Sequence, residues 1–235
     1  MAGGVVASCP VFVGDIGGKD LEATAEGLWS SLDGAWQESF RQAWEAFRTG
    51  NIAVGACATT PDGRLVRAAR NRVADDQGPI GEVFGSSLAH AEVNVLARIG
   101  LGQPKELVLT TTLEPCLQCS AVVRLGPVAI VRFAGSDPLW DGCHDFSPLS
   151  QREAARSQVE MVGPRADELG LFGTLISRFW QHGSKVEAYL RAHGEAESLD
   201  LVQDLSASGK LPKLAAMEVE EALAHLWPRL RTLRK

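Results

Sequence analysis

Two short groups of side chains, far apart along the chain, constrain the fold most because together they contain residue types that bind a transition metal. The first group has the sequence H-A-E at residues 90–92, and the second has P-C-L-Q-C at residues 115–119. One imidazole and two thiolates leave one position of a tetrahedral zinc site open, and zinc lowers the pKa of a water molecule in such a position to roughly 7. The pattern therefore predicts that His90, Cys116 and Cys119 bind one zinc ion per chain.

Each group lies where a helix is predicted to begin. Apolar residues recur at helical spacing over Leu88–Ile99 and over Cys116–Leu125. Unpaired N–H groups and the helix dipole stabilise thiolates at such a position. Glu92 follows His90 by two residues, so its carboxylate is expected to move protons beside the metal without binding it. A closed structural zinc site, with Cys143 or His144 as the fourth ligand, is the alternative.

The order of the other predicted elements indicates a layered α/β fold. The pattern predicts a helix over Ala35–Gly50, followed by a hairpin of two strands, Ile52–Thr60 and Leu65–Ala69. Further strands, which alternate with helices, are predicted over Leu107–Thr112, Val128–Phe133 and Gln158–Val162. Strands that alternate with helices are typical of a sheet with parallel members. The irregular residues 71–87 lead directly to His90, and a long loop of this kind is more often a binding loop than a simple connection.

Three regions follow from these patterns. Residues 1–34 are rich in Gly, Ala and Ser and are expected to form a loosely structured lead-in. Residues 35–163 form the predicted zinc domain. Residues 164–235 carry apolar stripes at helical spacing and are expected to form a helical extension, which packs on the α/β core or on a second subunit.

Charge and cysteine content limit the partners of the chain. A formal net charge of −6 lacks the basic excess that a phosphate backbone requires, which makes nucleic acid an unlikely partner. The five cysteines form an odd set, and two of them are spaced as C-x-x-C, which suits metal or redox chemistry better than a disulfide scaffold. We therefore expect a reducing, cytoplasmic location. No stretch approaches the roughly 18 uninterrupted apolar residues of a membrane span, and no membrane association is expected.

The motifs resemble those of a known family. Residues 89–92 and 112–119 are similar to the cytidine deaminase-like superfamily, and most similar to its tRNA-adenosine and guanine deaminase branch. Shorter matches occur at residues 53–56, 70–72 and 133–138. The resemblance covers about residues 35–163. It implies a three-layer α/β/α sandwich with a mixed five-stranded sheet, the zinc ligands and proton-shuttling glutamate given above, and a homodimer.

The resemblance also implies residues that contact the substrate. The backbone N–H of Ala91 is expected near the substrate, and Asn71 matches an asparagine that contacts the ring in this branch. An amide both donates and accepts hydrogen bonds, which suits the edge of a heterocycle. The alternative for Asn71 is a turn residue that closes the hairpin.

Two residues after the fourth predicted strand are further candidates for substrate binding. Asp137 and Trp140 lie where side chains in this fold reach the rim of the pocket. Trp140 either stacks on a flat ring or covers the edge of the sheet. Glu114 precedes the cysteine motif and is expected to point away from the pocket or to cap the helix.

Together these features predict a zinc-dependent hydrolase that releases ammonia from a free nucleobase, a nucleoside or a related aminated heterocycle, with a purine-like ring favoured. The partner is then a small molecule. One alternative is a deaminase that acts on adenosine in tRNA or other single-stranded nucleic acid. A second alternative, of another class, is a catalytically silent, zinc-stabilised binding or scaffold protein with the same fold.

Overall fold

The computed structural model describes residues 24–100, 102–156, 158–180 and 185–234, without the side chain of Lys185. Five strands form one sheet: β1 (Gly55–Thr59), β2 (Leu65–Arg70), β3 (Leu107–Leu113), β4 (Val128–Gly135) and β5 (Glu160–Val162). The helices of the first part of the chain are α1 (Ala25–Ser31), α2 (Gly34–Arg48), α3 (Ala91–Leu96), α4 (Leu117–Leu125) and α5 (Gln151–Ala155). The later helices are α6 (Glu168–Ser177), α7 (Lys185–Leu190), α8 (Ala196–Ala207), α9 (Leu211–Ala215) and α10 (Val219–Leu233).

The sheet is mixed and has the strand order β2-β1-β3-β4-β5. Strand β1 pairs antiparallel with both β2 and β3, whereas β3, β4 and β5 run parallel. The carboxyl ends of β3 and β4 therefore lie at one edge of the sheet, where loops that follow parallel strands commonly form binding sites. The segments that carry Cys116 and Asp137 follow these two strands, so the topology brings them together.

Helices cover both faces of the sheet. One face packs against α3 and α4 through apolar residues that include Ala56, Val95 and Val123. On the other face, α2 packs so closely on β1 that a Cβ atom at Gly55 would clash with the carbonyl oxygen of Ser39. Only glycine fits there. The predicted α/β/α sandwich with a mixed five-stranded sheet is confirmed.

The C-terminal helices form the outer part of the same hydrophobic core as α2. Phe40 on α2 stacks on Phe172 of α6 with ring centroids 5.7 Å apart. The indole Nε1 of Trp44 donates a hydrogen bond of 2.8 Å to the carbonyl oxygen of Met217. The predicted helical extension is thus present, and it packs on the α/β core. The division of the chain at residue 163 stays a prediction.

The expectation of a loosely structured stretch before residue 35 is wrong for Ala25–Ser31, which forms helix α1. The hydroxyl of Thr24 accepts a hydrogen bond from the N–H of Gly27 and caps the helix. Leu28 and Trp29 are buried in the core that α2 and α10 share. The helix is therefore stabilised by tertiary packing that a short apolar pattern does not reveal. Residues 1–23 lie outside the described residues.

The helix predicted over Leu88–Ile99 is shorter than expected. It comprises Ala91–Leu96, because His90 has an extended backbone conformation and occupies the N-cap position. The binding loop predicted at residues 71–87 has no helix or strand within the described chain. No helix among the described residues is long and apolar enough to cross a membrane.

Candidate active site

Three side chains from two helix starts form a compact cluster of metal-ligand type. His90 Nδ1 lies 3.3 Å from Cys119 Sγ and 3.4 Å from Cys116 Sγ, and the two sulfur atoms are 3.5 Å apart. Zinc bonds of about 2.0–2.3 Å in tetrahedral geometry separate neighbouring ligand atoms by about 3.5–3.8 Å. The cluster therefore fits one zinc ion per chain, as the sequence predicts.

The local sequence explains how the two cysteines meet. Cys116 is the N-cap of α4, and Cys119 lies in the first turn of that helix. Hydrogen bonds from the Cys119 thiol and from His90 lower the pKa of Cys116 to about 4, despite burial. The unpaired N–H groups at the helix start also favour a negatively charged sulfur atom. A soft thiolate beside an imidazole is a donor set that zinc prefers over harder cations.

Among the described residues, the cluster of metal-ligand groups has three members. Cys143 is a half-buried free cysteine outside the cluster, and His144 lines two other cavities. The alternative of a closed site, with either residue as the fourth ligand, therefore has no support in the described geometry. Three protein ligands are typical of catalytic zinc sites.

Glu92 lies beside the cluster and is 3 % exposed. Its Oε1 accepts a hydrogen bond of 3.1 Å from the hydroxyl of Thr111, and its Oε2 lies 3.2 Å from Cys119 Sγ. Burial raises the pKa of the Glu92 carboxyl. A carboxyl group that is buried, held at one oxygen and close to a metal ligand has the properties of a general acid and base.

A single cavity of about 280 Å³ brings the candidate residues together. Residues of the sequence motifs, of the loop after β4 and of the C-terminal extension line it: Ile52, Val54, Asn71, His90, Glu92, Leu113, Glu114, Cys116, Cys119, Asp137, Leu139, Trp140, Ser177, Arg178 and Val186. Apolar walls with a few convergent polar groups are typical of small-molecule sites.

Asn71 is buried in the wall of this cavity. Its Oδ1 accepts a hydrogen bond of 3.1 Å from the N–H of Val73, which is the turn-closing interaction. Its Nδ2 has no hydrogen-bond partner among the described residues. The turn role and a donor role toward a ligand are therefore compatible in one side chain, since the two roles use different atoms.

The other three residues proposed to contact substrate differ in their surroundings. Ala91 is buried in the core on the α3 face of the sheet, and its backbone N–H lies in the first turn of α3. Trp140 lines the cavity and is 36 % exposed, as expected for a residue at a rim. Asp137 also lines the cavity, but its Oδ1 accepts a hydrogen bond of 3.0 Å from Arg178. Their contacts with a substrate stay predictions.

Two charged residues of the cavity were not predicted from the sequence. Glu114 was expected to point away or to cap α4, and this is wrong: it lines the cavity and accepts a hydrogen bond of 3.1 Å from the N–H of Asp137. Burial raises the pKa of the Glu114 carboxyl. Arg178 lies in an apolar stripe of the extension, and a charged residue in such a stripe is the signal that would have drawn attention to it.

An open His-Cys-Cys cluster at two helix starts, with a buried glutamate beside it, is the arrangement that zinc deaminases use. Residues 31–133 match the family described as the cytidine and deoxycytidylate deaminase zinc-binding region. This stretch is thus similar to the zinc-binding region of that family, in agreement with the motifs of the sequence. No protein of curated function matches the sequence.

Several solved structures are similar to this chain at low identity. A guanine deaminase from Nitrosomonas europaea is 18% identical over 63% of this chain and 85% of its own, with a TM-score of 0.46. A tRNA:A34 deaminase is 19% identical over 55% of this chain and 95% of its own, with a TM-score of 0.44. A guanine deaminase from Bacillus subtilis is 24% identical over 56% of this chain and 81% of its own, with a TM-score of 0.37.

Proposed function

We propose that this chain is a zinc-dependent hydrolytic deaminase of a small aminated heterocycle, either a free nucleobase or a nucleoside, with a purine-like ring favoured. The observation that carries the proposal is the position of Glu92. Its buried carboxylate lines the cavity, is fixed by Thr111, and lies 3.2 Å from the sulfur atom of the zinc ligand Cys119. This position supports a role for Glu92 as the carrier of protons between a metal-activated water molecule and the ring.

The reaction replaces an amino group by a carbonyl oxygen. A zinc ion held by His90, Cys116 and Cys119 would supply an activated water molecule, because zinc lowers the pKa of bound water to roughly 7. Glu92 would accept one proton from the attacking water, whose oxygen bonds to the ring carbon that bears the amino group, and would deliver this proton to the adjacent ring nitrogen. Glu92 would then carry the proton of the new hydroxyl group to the amino group, so that the C–N bond breaks, ammonia leaves and a carbonyl remains on the ring.

The remaining cavity residues orient the ring in this proposal. The Nδ2 group of Asn71 donates to an acceptor on the edge of the ring. The backbone N–H of Ala91 donates to the oxygen that replaces the amino group. Trp140 stacks on the face of the ring at the rim of the cavity.

The dimensions of the cavity support a small substrate. A volume of about 280 Å³ lies near the lower end of the range of about 300–1,000 Å³ that is usual for small-molecule sites. A net charge of −6 does not favour a polyanion. These two observations support a single base or nucleoside over a nucleic-acid strand. The homodimer and the cytoplasmic location stay predictions.

Ammonia release from the zinc-loaded protein tests the proposal. Guanine, adenine, adenosine, cytosine and cytidine form the panel, and we expect turnover of at least one ring. The variant Glu92→Gln should keep zinc and lower kcat by about 100- to 10,000-fold, the usual contribution of general acid–base catalysis. Silence across the panel would favour the zinc-stabilised binding protein. Full activity of Glu92→Gln would rule out the assigned proton path.

A further inference from the structure

The C-terminal extension supplies part of the wall of the cavity. Ser177, Arg178 and Val186 line it together with His90 and Glu92. Arg178 begins a short 3-10 turn at the end of α6. Residues outside the family match at 31–133 therefore surround the substrate of the proposed reaction.

Two carboxylates neutralise the guanidinium of Arg178. Its Nη2 lies 3.0 Å from Asp137 Oδ1, and its Nε and Nη2 lie 2.6 Å and 2.7 Å from the two carboxylate oxygens of Glu195. The Arg178 side chain is 1% exposed, and those of Asp137 and Glu195 are 5% and 8% exposed. Glu195 binds the guanidinium at two nitrogen atoms, and Asp137 accepts a further hydrogen bond from it. The guanidinium therefore keeps no net positive charge that could attract another anion.

The described lining of the cavity as a whole has more carboxyl groups than guanidinium or ammonium groups. Among the described side chains of the lining, three carry carboxyl groups (Glu92, Glu114 and Asp137) and Arg178 carries the guanidinium. The thiolates of the two cysteines balance the charge of a bound zinc ion. Carboxylates that line the cavity repel a second anion, and this repulsion is stronger beside protein than in bulk water.

We infer that this cavity excludes phosphate, so that the substrate is a free base or a nucleoside and not a nucleotide. Phosphate sites in proteins use Arg, Lys or unpaired backbone N–H groups aimed at the phosphate oxygens. In the described lining, the guanidinium is that of Arg178, and two carboxylates already bind it. The inference rests on the proposed function. Of the two substrate types in the family's description, it permits a nucleoside such as cytidine and excludes a nucleotide such as deoxycytidylate.

Matched substrates with and without a 5′-phosphate test the inference. Ammonia release is measured for cytidine and CMP, for adenosine and AMP, for guanosine and GMP, and for the three free bases, with the zinc-loaded full chain. For the ring that turns over, we expect kcat/KM of the base or nucleoside to exceed that of the monophosphate by at least about 100-fold. A monophosphate that is the better substrate overturns the inference and leaves the proposed deaminase function standing. Silence of all nine compounds removes both.

The variant Glu195→Gln tests the electrostatic origin of the discrimination. It releases part of the Arg178 guanidinium, so the preference for the unphosphorylated compound should fall by about 10-fold while zinc content is unchanged. The matched control is Asp204→Asn, which breaks an exposed ion pair with Arg229 in the same extension and should leave the preference intact. If Glu195→Gln does not fold, Glu114→Gln removes a lining carboxylate without breaking an ion pair, and the same shift is expected. An unchanged preference in the folded variant overturns the inference.

Discussion

The hydroxyl of Thr111, on β3, donates a hydrogen bond of 3.1 Å to Oε1 of Glu92, on α3. Both residues are buried, so the sheet fixes the orientation of the carboxylate on which the proposed chemistry depends. A hydrogen bond to a charged group contributes about 1.5–3 kcal/mol. The relationship therefore has a measurable consequence for catalysis.

We expect Thr111→Val to lower kcat by about 10- to 100-fold, because the carboxylate loses the donor that orients it. Zinc content and fold should be retained. The neighbouring Thr110→Val is a matched control: the Thr110 hydroxyl is buried without a hydrogen-bond partner in the described structure, so its removal should not lower stability. Steady-state kinetics and zinc analysis check both variants. Equal loss of kcat in the two variants would remove the positioning role of Thr111.

Zinc binding should depend on the three clustered residues and not on Cys143. Cys116→Ser should lower zinc content to near zero, whereas Cys143→Ser should keep about one zinc per chain. Removal of zinc from the wild-type chain by a chelator should lower Tm, since a ligand that binds the folded state stabilises it by about 4 kcal/mol at 1,000 times its Kd. Atomic absorption and thermal unfolding provide the measurements. Loss of zinc from Cys143→Ser would support the alternative of a closed structural zinc site with Cys143 as the fourth ligand.

Asp75 should make stability depend on pH. Burial opposes its ionisation, but hydrogen bonds from Arg70 and Asn51 outweigh burial and hold its pKa below the ordinary value of 3.8. A carboxyl whose pKa is lower in the folded state stabilises the fold above its unfolded pKa. This stabilisation disappears as the pH falls through the folded pKa. At pH 7, Asp75→Asn should therefore lower the free energy of unfolding by about 3 kcal/mol, the usual effect of breaking a buried ion pair.

The difference between wild type and Asp75→Asn should begin to narrow below about pH 4, the unfolded pKa, and should disappear below the folded pKa, where the Asp75 carboxyl is also uncharged. Urea unfolding at several pH values measures it. The exposed Asp204 provides the control, since Asp204→Asn should change stability little at any pH. A difference that stays constant down to pH 2.5 would show that the charge of Asp75 is unimportant.

The extension and the zinc domain should unfold together. Phe172 of α6 is buried against Phe40 and Trp44 of α2, so Phe172→Ala should lower the free energy of unfolding by about 3–5 kcal/mol. Tryptophan fluorescence and zinc release, followed in the same urea titration, should shift by equal amounts. Leu149→Ala, at a largely exposed position, serves as the control. Zinc release at the wild-type midpoint would mean that the extension unfolds by itself.

The metal cluster was predictable from the sequence because its determinants are local. The two cysteines lie three residues apart in one helix start, and His90 and Glu92 lie two apart in another. The alternation of strands and helices then implied the parallel strands β3 and β4, which place the cysteine motif and Asp137 at one edge. Local spacing and topology were sufficient for the core of the candidate site.

The remaining wall of the cavity depends on contacts that no local pattern contains. Arg178 and Asp137 are 41 residues apart, and their pairing requires α6 to approach β4 closely. A Cβ atom at Gly135 would clash with the backbone of Thr174, so this approach depends on a glycine. The direction of the Glu114 side chain likewise depends on the N–H of Asp137, which belongs to the loop after another strand. The sequence shows that these charges exist but not which of them meet.

The buried pair of Arg178 and Asp137 also limits how this site can be engineered. A chimera that transplants residues 31–133 into another scaffold would carry the metal ligands and the proton carrier, yet it would lack both members of this pair. The metal-ligand residues and part of the cavity wall thus lie in separate stretches of the chain. An exchange of the extension alone would keep the metal-ligand residues and Glu92, but it would replace Arg178, the ion-pair partner of Asp137.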